Sequence, residues 1–179
     1  TATTIGGSGD ITIDCDLSGN FALTKAGNGA LTINGISSGT STTTLTAGTL
    51  RGSGSFAGAL AINGGTHAPG NSPDIMTTAG NYTLAAAATL QIEIDGTTPG
   101  TQHDQVSVGG TVTLAGALDL VAAPALAASS TFTIINNTSA GAVSGTFAGK
   151  PQNAEFYEDN QWWRISYTGG TGNDVVLTR

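Results

Sequence analysis

Ala30-Leu-Thr-Ile-Asn-Gly35 sets a pattern that returns in Thr44-Leu-Thr-Ala-Gly48, in Leu60-Ala-Ile-Asn-Gly64 and in Thr111-Val-Thr-Leu-Ala-Gly116. In each stretch apolar residues alternate with polar or small ones, and a glycine follows. Alternation with a period of two is typical of a β-strand, and the glycine marks the point at which the chain turns. Short strands that turn at similar intervals predict a parallel β-helix, in which each turn of chain stacks on the one before it.

The composition favours an all-β protein. Apolar residues make up 39% of the 179 residues, but charged residues make up only 9%, and 27 residues are glycine. Because a surface helix normally carries many Lys, Glu and Arg residues on its solvent-facing side, this balance is unfavourable for helices. Thr and Asn, in contrast, suit exposed strands and turns.

The charge balance excludes some classes of partner. Five basic residues against twelve acidic ones give a formal net charge of -7. Such a chain has no basic patch that would neutralise phosphates, so we expect no nucleic-acid partner.

The chain also has no apolar run of about 18 residues, and we expect no direct insertion into a membrane. Because the chain begins within strand-like sequence, we expect it to be a piece of a longer protein.

The first strong alternation lies at residues 10–17, where Ile11, Ile13, Cys15 and Leu17 share one face. We expect Cys15 to be a buried, unreactive thiol, since free cysteine is often buried; pairing between chains is the alternative. The same first rung is also a candidate edge for assembly, through Ile11, Ile13 and Cys15, because an unpaired strand can add to a neighbouring sheet.

The last quarter of the chain has a different character. Glu155-Phe-Tyr-Glu158 and Gln161-Trp-Trp-Arg-Ile-Ser-Tyr167 flank Asp159-Asn160, which predicts an antiparallel hairpin. A stack of rungs needs a cap, because its last rung otherwise leaves an apolar core and a strand edge exposed. We therefore divide one domain into rungs at 1–149 and a capping hairpin with a final strand at 150–179.

Several phrases resemble one family. Leu23-Thr-Lys-Ala-Gly-Asn-Gly-Ala-Leu-Thr-Ile33 and Ala47-Gly-Thr-Leu-Arg-Gly-Ser-Gly54 resemble successive rungs of autotransporter-associated β-strand repeats. Ala68-Pro-Gly-Asn-Ser-Pro73 is similar to a loop of these proteins, and Tyr167–Thr178 is similar to their closing phrase. The resemblance covers nearly the whole chain from Leu23.

This resemblance implies a single right-handed parallel β-helix from the passenger or stalk of a secreted bacterial surface protein. It implies an extracellular or cell-surface location and an adhesin-like shaft or spacer, with a host or matrix glycan or protein as a partner. It brings no catalytic residues, and we expect the protein not to be an enzyme. We expect no barrel or anchor within these residues, and the resemblance therefore does not give the route of export.

One motif suggests calcium. Gly169-Gly-Thr-Gly-Asn-Asp-Val-Val-Leu177 matches the calcium-binding nonapeptide, in which glycines form a tight turn and an aspartate supplies hard oxygen ligands. The ion in such arrays is shared between successive repeats, and here the motif occurs only once in full. A calcium site at Asp174 is therefore weighed against a simple glycine turn before the last strand; we expect no other cofactor.

Two further groups of polar residues have structural interpretations that we prefer. Asp10, Asp14 and Asp16 share the outward face of one strand, at a spacing that would suit a polysaccharide-cleaving site, but few cations lie near them in sequence. A solvated acidic face is the simpler interpretation. His67 and His103, the only histidines, are predicted to lie in loops and form no cluster of metal ligands.

Trp162 and Trp163 are adjacent, so on a strand they point to opposite faces. We expect one to fill the core and the other to be exposed or covered by a loop. Either Trp162 or Trp163 is therefore a candidate binding residue, because an exposed tryptophan ring can stack on a sugar. The function that we expect is a structural stalk or passenger segment, and the alternative is an adhesive or self-assembling module that forms fibres through its terminal rungs.

Overall fold

β-Strands account for all the regular secondary structure in the described part of the chain. The computed structural model describes residues 2–123 and 126–179. Within these ranges there are 21 strands and no helix, as the composition predicts. The strands are β1 (Ala2–Ile5), β2 (Ile11–Ile13), β3 (Ala22–Lys25), β4 (Ala30–Ile33), β5 (Ile36–Ser37), β6 (Thr43–Leu45), β7 (Thr49–Gly52), β8 (Ser55–Phe56), β9 (Leu60–Ile62), β10 (Gly65–Pro69), β11 (Ile75–Thr78), β12 (Tyr82–Leu84), β13 (Ala88–Ile94), β14 (Gln105–Val108), β15 (Val112–Leu114), β16 (Ala117–Ala122), β17 (Thr131–Asn137), β18 (Ser144–Gly145), β19 (Glu155–Glu158), β20 (Gln161–Gly169) and β21 (Asp174–Thr178).

These strands form three sheets, which we call A, B and C. Sheet A has seven strands in the order β1-β3-β6-β9-β12-β15-β18, and sheet B has six in the order β16-β13-β10-β7-β4-β2. Sheet C has eight, in the order β19-β20-β21-β17-β14-β11-β8-β5. From β3 to β18 the chain visits A, B and C in the same succession, and each strand pairs in parallel with the strand three places later, as β6 does with β9. Each circuit of the chain therefore adds one strand to every sheet.

The length of a circuit changes along the chain. Near the amino end, hydrogen bonds between successive circuits join residues 20 positions apart, as between Asp10 and Ala30. Later ones join residues 30 positions apart, as between Asn81 and Thr111. Most of the added residues lie in loops, such as 95–104 between β13 and β14. The sheets keep their register because the loops accommodate most of the inserted residues.

The core lies between the three sheets and follows the alternation in the sequence. In β13, Ala88, Leu90, Ile92 and Ile94 are buried, and the residues between them are partly exposed. Inward side chains of all three sheets belong to one continuous cluster. Full burial of a Leu or Ile side chain contributes about 1.5–3 kcal/mol, so this stack of side chains is the main stabilising feature.

A column of glycines marks the corner between sheets A and B. Gly27, Gly48 and Gly65 have φ angles of 74°, 74° and 75°. A Cβ atom on Gly48 would lie 2.4 Å from the carbonyl oxygen of Gly27, and one on Gly65 would lie 2.3 Å from that of Gly48. The successive corners therefore stack at a distance that only glycine permits, in a left-handed conformation that it adopts without strain.

Lys25 fills the inside of the same corner. Its side chain is buried, and Nζ donates to the carbonyl oxygens of Ala26 and Gly27, both at 2.8 Å. Burial lowers the pKa of Lys25, and the negative charge of Asp10 acts in the opposite direction. The lysine thus satisfies carbonyl groups that the tight turn leaves without a backbone partner.

The structure corrects the prediction that His67 lies in a loop. Gly65–Pro69 is strand β10, which pairs in parallel with β7 and β13 in the middle of sheet B. His67 in this strand is fully buried and does not lie in a loop. The turn begins only at Gly70, whose φ angle is 98°.

The C-terminal part of sheet C is antiparallel. The predicted hairpin is present: β19 pairs with β20 through a turn at Asp159 and Asn160, which have φ angles of 47° and 59°. β21 then pairs antiparallel with both β20 and β17. These strands extend sheet C and share its core, so the boundary proposed at residue 150 stays a prediction.

Candidate functional site

An aromatic pair lies on the outer face of the C-terminal hairpin. Tyr157 in β19 and Trp162 in β20 are direct cross-strand partners. Their ring centroids are 5.6 Å apart in an edge-to-face arrangement. Tyr157 is 59% exposed and Trp162 is 64% exposed. Large aromatic side chains are usually buried, because each has 150–250 Å² of surface to remove from water. This pair is therefore the first candidate for a binding surface.

A shallow groove of about 270 Å³ runs beside Trp162. Its polar lining comes from three neighbouring strands and the residue after β21: Glu155, Arg164, Thr178 and Arg179. Arg164 lies opposite both Glu155 and Thr178 in the strand register. The groove thus places an aromatic ring next to two guanidinium groups and one carboxylate.

Trp163 has to be removed from the candidate binding residues. It is 1% exposed and packs against Phe132 with ring centroids 5.7 Å apart. Its Nε1 donates to the carbonyl oxygen of Glu158 at 3.1 Å. The two tryptophans point to opposite faces of β20, so that one completes the core and only Trp162 is available to a ligand.

Asp174 stands at the beginning of β21 and is buried. One carboxylate oxygen accepts the backbone N–H of Asn137 at 2.8 Å, and the other accepts that of Thr171 at 3.2 Å. Both oxygens therefore have a hydrogen-bonding role in joining the glycine turn to β17. Among the described residues no group of three or more His, Cys, Asp or Glu side chains is arranged to hold a metal. The calcium site stays a prediction.

The predicted assembly edge at the first circuit is largely exposed. Ile11 is 40% exposed, and Ile13 is partly buried against the core. The prediction of a buried Cys15 is wrong, because this thiol is exposed. Ile11 and Ile13 lie opposite Leu31 and Ile33 of β4, on the same face of sheet B. In the described chain β2 is the terminal strand of this sheet, so no further strand pairs with its outer edge.

The opposite end of sheet B is closed by side chains. β16 is the last strand of this sheet, and its outer edge faces the turn of the C-terminal hairpin. Glu158 accepts the backbone N–H of Leu120 at 2.8 Å, and Asp159 accepts that of Ala122. Gln161 donates to the carbonyl oxygen of Ala123 at 2.9 Å. These bonds occupy backbone groups that would otherwise be open to another strand.

Lys150 extends this closure. Its Nζ lies 3.4 Å from the carbonyl oxygen of Leu118 and 3.2 Å from the carboxylate of Glu158. It also lies 4.7 Å from the ring centre of Phe156. The ammonium group therefore holds Glu158 in place while it satisfies another edge carbonyl. We call Lys150, Glu158, Asp159 and Gln161 the edge clamp.

The acidic face of the first circuit is tied to the second. Asp10 accepts the backbone N–H of Ala30 at 2.7 Å, and Asp16 accepts that of Ile36 at 2.8 Å. Asp14 accepts the side-chain amide of Asn34. Arg51 approaches Asp10 at 4.0 Å, in an exposed pair that contributes little. These carboxylates therefore join one circuit to the next.

A second cleft lies on the outer face of sheet B. It has a volume of about 550 Å³ and is lined mainly by polar groups, among them Arg51, Gln91, Glu93 and Asp104. Nothing in the sequence marks Asp104 as part of such a cleft. The position of Asp104 beside β13 does not follow from its distance along the sequence, because the loop of residues 95–104 brings the chain back to this strand.

Asp104 fastens the side of this cleft. Its two oxygens accept the backbone N–H groups of Asp74 and Glu93, both at 2.9 Å. Burial raises the pKa of Asp104 to about 6, although the two N–H groups act in the opposite direction. A Cβ atom on Gly70 would lie 2.6 Å from one of its oxygens. The carboxylate thus holds the turn after β10 against β13.

Both histidines are buried. Nδ1 of His67 lies 2.9 Å from the hydroxyl of Tyr82, and Nε2 lies 3.0 Å from Sδ of Met76. Burial lowers the pKa of His67 to about 3 and lowers that of His103 as well. His103 packs edge-to-face on Phe132, with centroids 5.7 Å apart. The two rings lie in the core, apart from the exposed groove.

Comparison with known proteins gives no family assignment. No family model matches the chain, and no curated protein matches it. Of the described residues, none belong to a helix that is long and apolar enough to cross a membrane.

Proposed function

We propose that this protein is a structural segment of a secreted bacterial surface protein, a stalk or passenger region that spaces other parts of that protein from the cell. The observation that carries this proposal is the regular succession of sheets A, B and C, with a closed edge at the C-terminal end of sheet B. We infer that the three sheets form a right-handed parallel β-helix. A fold that grows by one rung per circuit supplies length and stiffness, because each rung contacts mainly its neighbours.

The motif residues that resemble autotransporter-associated repeats support the same proposal. Lys25 and Gly27, from the first rung phrase, build the corner between sheets A and B. Gly70, from the Ala68–Pro73 phrase, turns against Asp104, and Asp174 in the closing phrase joins the last turn to β17. These residues have architectural roles, which is what a spacer requires.

The proposed cellular location can be tested directly with antibodies raised against the chain. We expect them to label intact cells of the source bacterium, and we expect external protease to remove the labelling. Labelling that requires permeabilised cells would contradict the proposal. Antibodies against a cytoplasmic protein are the control for cell integrity.

A self-assembling module is the alternative, and one observation favours it. The first circuit exposes Ile11 and the edge of β2, which could accept a strand from another molecule. Head-to-tail stacking also needs a free edge at the other end, since a heterologous contact joins two different surfaces. The edge clamp occupies that edge in sheet B, and for this reason we prefer the stalk.

A further inference from the structure

The exposed aromatic pair lies beside two arginines that form no ion pair within the described residues. The protein contains five basic residues. Lys25 is buried against carbonyl oxygens, Arg51 approaches Asp10, and Lys150 pairs with Glu158. The remaining two, Arg164 and Arg179, line the groove beside Trp162.

Neither of these arginines has an acidic partner within salt-bridge distance in the described part of the chain. Nε of Arg179 donates to the side-chain oxygen of Gln161, which orients the group. Glu155 lies opposite Arg164 on the neighbouring strand, but the two form no ion pair. In a molecule with a net charge of -7, this groove therefore carries two guanidinium groups against one glutamate carboxylate.

The groove offers a ligand two kinds of binding group, an aromatic face and guanidinium groups. The exposed face of Trp162, supported from the side by Tyr157, suits a flat, partly apolar ring. A guanidinium group suits a carboxylate, which it binds through two parallel hydrogen bonds. Thr178 and Glu155 supply a hydroxyl and an acceptor for neighbouring hydroxyl groups.

We propose that this groove binds an acidic saccharide, a sugar chain that carries carboxylate groups. One sugar ring stacks on Trp162, and the carboxylate of that ring or of the next ring pairs with Arg164. The shallow groove lies on strands, so the site is preformed and open along the sheet, as a polymer chain requires. This binding activity is separate from the proposed spacer function, and either one can fail without the other.

The two tryptophans allow a direct test. Because Trp163 is buried and Trp162 is exposed, a ligand that stacks on the protein changes mainly the fluorescence of Trp162. We would titrate the 179-residue chain with short oligogalacturonates at low salt, and with neutral galactose oligosaccharides of the same length. We expect saturable quenching by the acidic oligosaccharides. The neutral oligosaccharides should bind more weakly by a factor of about ten or more.

Three variants make the test specific. By calorimetry, Trp162→Ala should abolish binding of the acidic series, and Arg164→Gln should weaken it about tenfold. Arg51→Gln is the matched control, because it removes a cation from another face and should leave binding unchanged. Circular dichroism checks that each variant is folded.

Absence of binding at millimolar oligogalacturonate would overturn the proposal. Equal affinity for the neutral series, or unchanged affinity in Arg164→Gln, would also overturn it, because the carboxylate would then have no role. A poly-glutamate peptide that binds as tightly as the saccharide would show that the groove recognises acidic chains in general and would contradict the assignment to a sugar.

Discussion

The carboxylate of Glu158 accepts the backbone N–H of Leu120 at 2.8 Å and so closes the last strand of sheet B with a side chain instead of another strand. The bond joins residues 38 positions apart, from the end of β19 to β16. Free strand edges promote association of sheets, and proteins block them with charges, short strands or covering segments. Here the covering groups form hydrogen bonds with the edge itself.

The first prediction concerns this edge. Glu158→Ala combined with Asp159→Gly removes both carboxylates, and glycine preserves the left-handed turn at residue 159. We expect faster amide hydrogen exchange at Leu120 and Ala122 and association that increases with protein concentration. Glu155→Ala is the control, since it removes an exposed carboxylate from the same hairpin. Unchanged exchange in the double variant would show that the clamp does not protect the edge.

The second prediction concerns the glycine corner. Gly48 and Gly149 both have positive φ angles, 74° and 70°, but only at Gly48 would a Cβ atom meet a neighbouring circuit. An alanine at residue 149 should cost about 1–2 kcal/mol of unfolding free energy through backbone strain alone. We expect Gly48→Ala to cost several kilocalories more, because the stacked corners must separate. Equal losses for the two variants, measured by denaturant unfolding, would be inconsistent with close stacking.

The third prediction concerns pH. His67 has a pKa of about 3 in the folded protein because it is fully buried, against an ordinary value of 6.5. Between these values the unfolded chain binds a proton that the folded protein excludes, so stability should fall as the pH decreases from 6.5 towards 3. The slope attributable to His67 is about 1.4 kcal/mol per pH unit.

Comparison with His67→Met isolates this effect. Asp104 acts in the opposite direction, because its raised pKa of about 6 makes the folded protein bind a proton before the unfolded chain does. The difference in unfolding free energy between the wild type and His67→Met should therefore change with pH below 6.5. A difference that is constant from pH 7 to pH 4 would mean that His67 is not buried in its neutral form.

The sequence predicts strands well where one face is buried, because the alternation of apolar residues is what places them in the core. It predicts the hairpin at Asp159-Asn160 for a similar reason, since the turn chemistry is local. β10 is missed because Gly65 and Pro69 at its ends are typical of loops, whereas parallel neighbours on both sides stabilise it as a strand.

Other features depend on contacts between residues far apart in the chain. Cys15 is exposed because no described strand lies outside the first circuit. The alternation of residues along a strand shows which face a side chain is on, but not whether that face is covered. The edge clamp joins residues 32 to 38 positions apart, and Asp104 reaches Asp74 over 30 positions. The aromatic groove is intermediate: alternation predicts one exposed tryptophan and places Arg164 on its face of the same strand, but Tyr157 and Arg179 come beside them only after β19, β20 and β21 have paired.

The fourth prediction concerns Asp174. Replacing it with Ala removes acceptors from the N–H groups of Asn137 and Thr171 and should cost about 1–3 kcal/mol. If these bonds are its role, the loss will be the same in calcium and in a chelator. A wild-type melting temperature that rises with calcium, with no such rise in the variant, would instead establish the calcium site predicted from the sequence. Asp14→Ala serves as the control for loss of one acidic residue.

The proposed stalk function depends on a stacked fold in which the C-terminal edge of sheet B is closed. Multi-angle light scattering over a concentration series, with negative-stain imaging of the most concentrated sample, tests this most directly. We predict a monodisperse species of 17.6 kDa at every concentration. Growth into rods of constant width would contradict the account, because it would mean that the terminal rungs of different molecules stack and that the protein builds fibres.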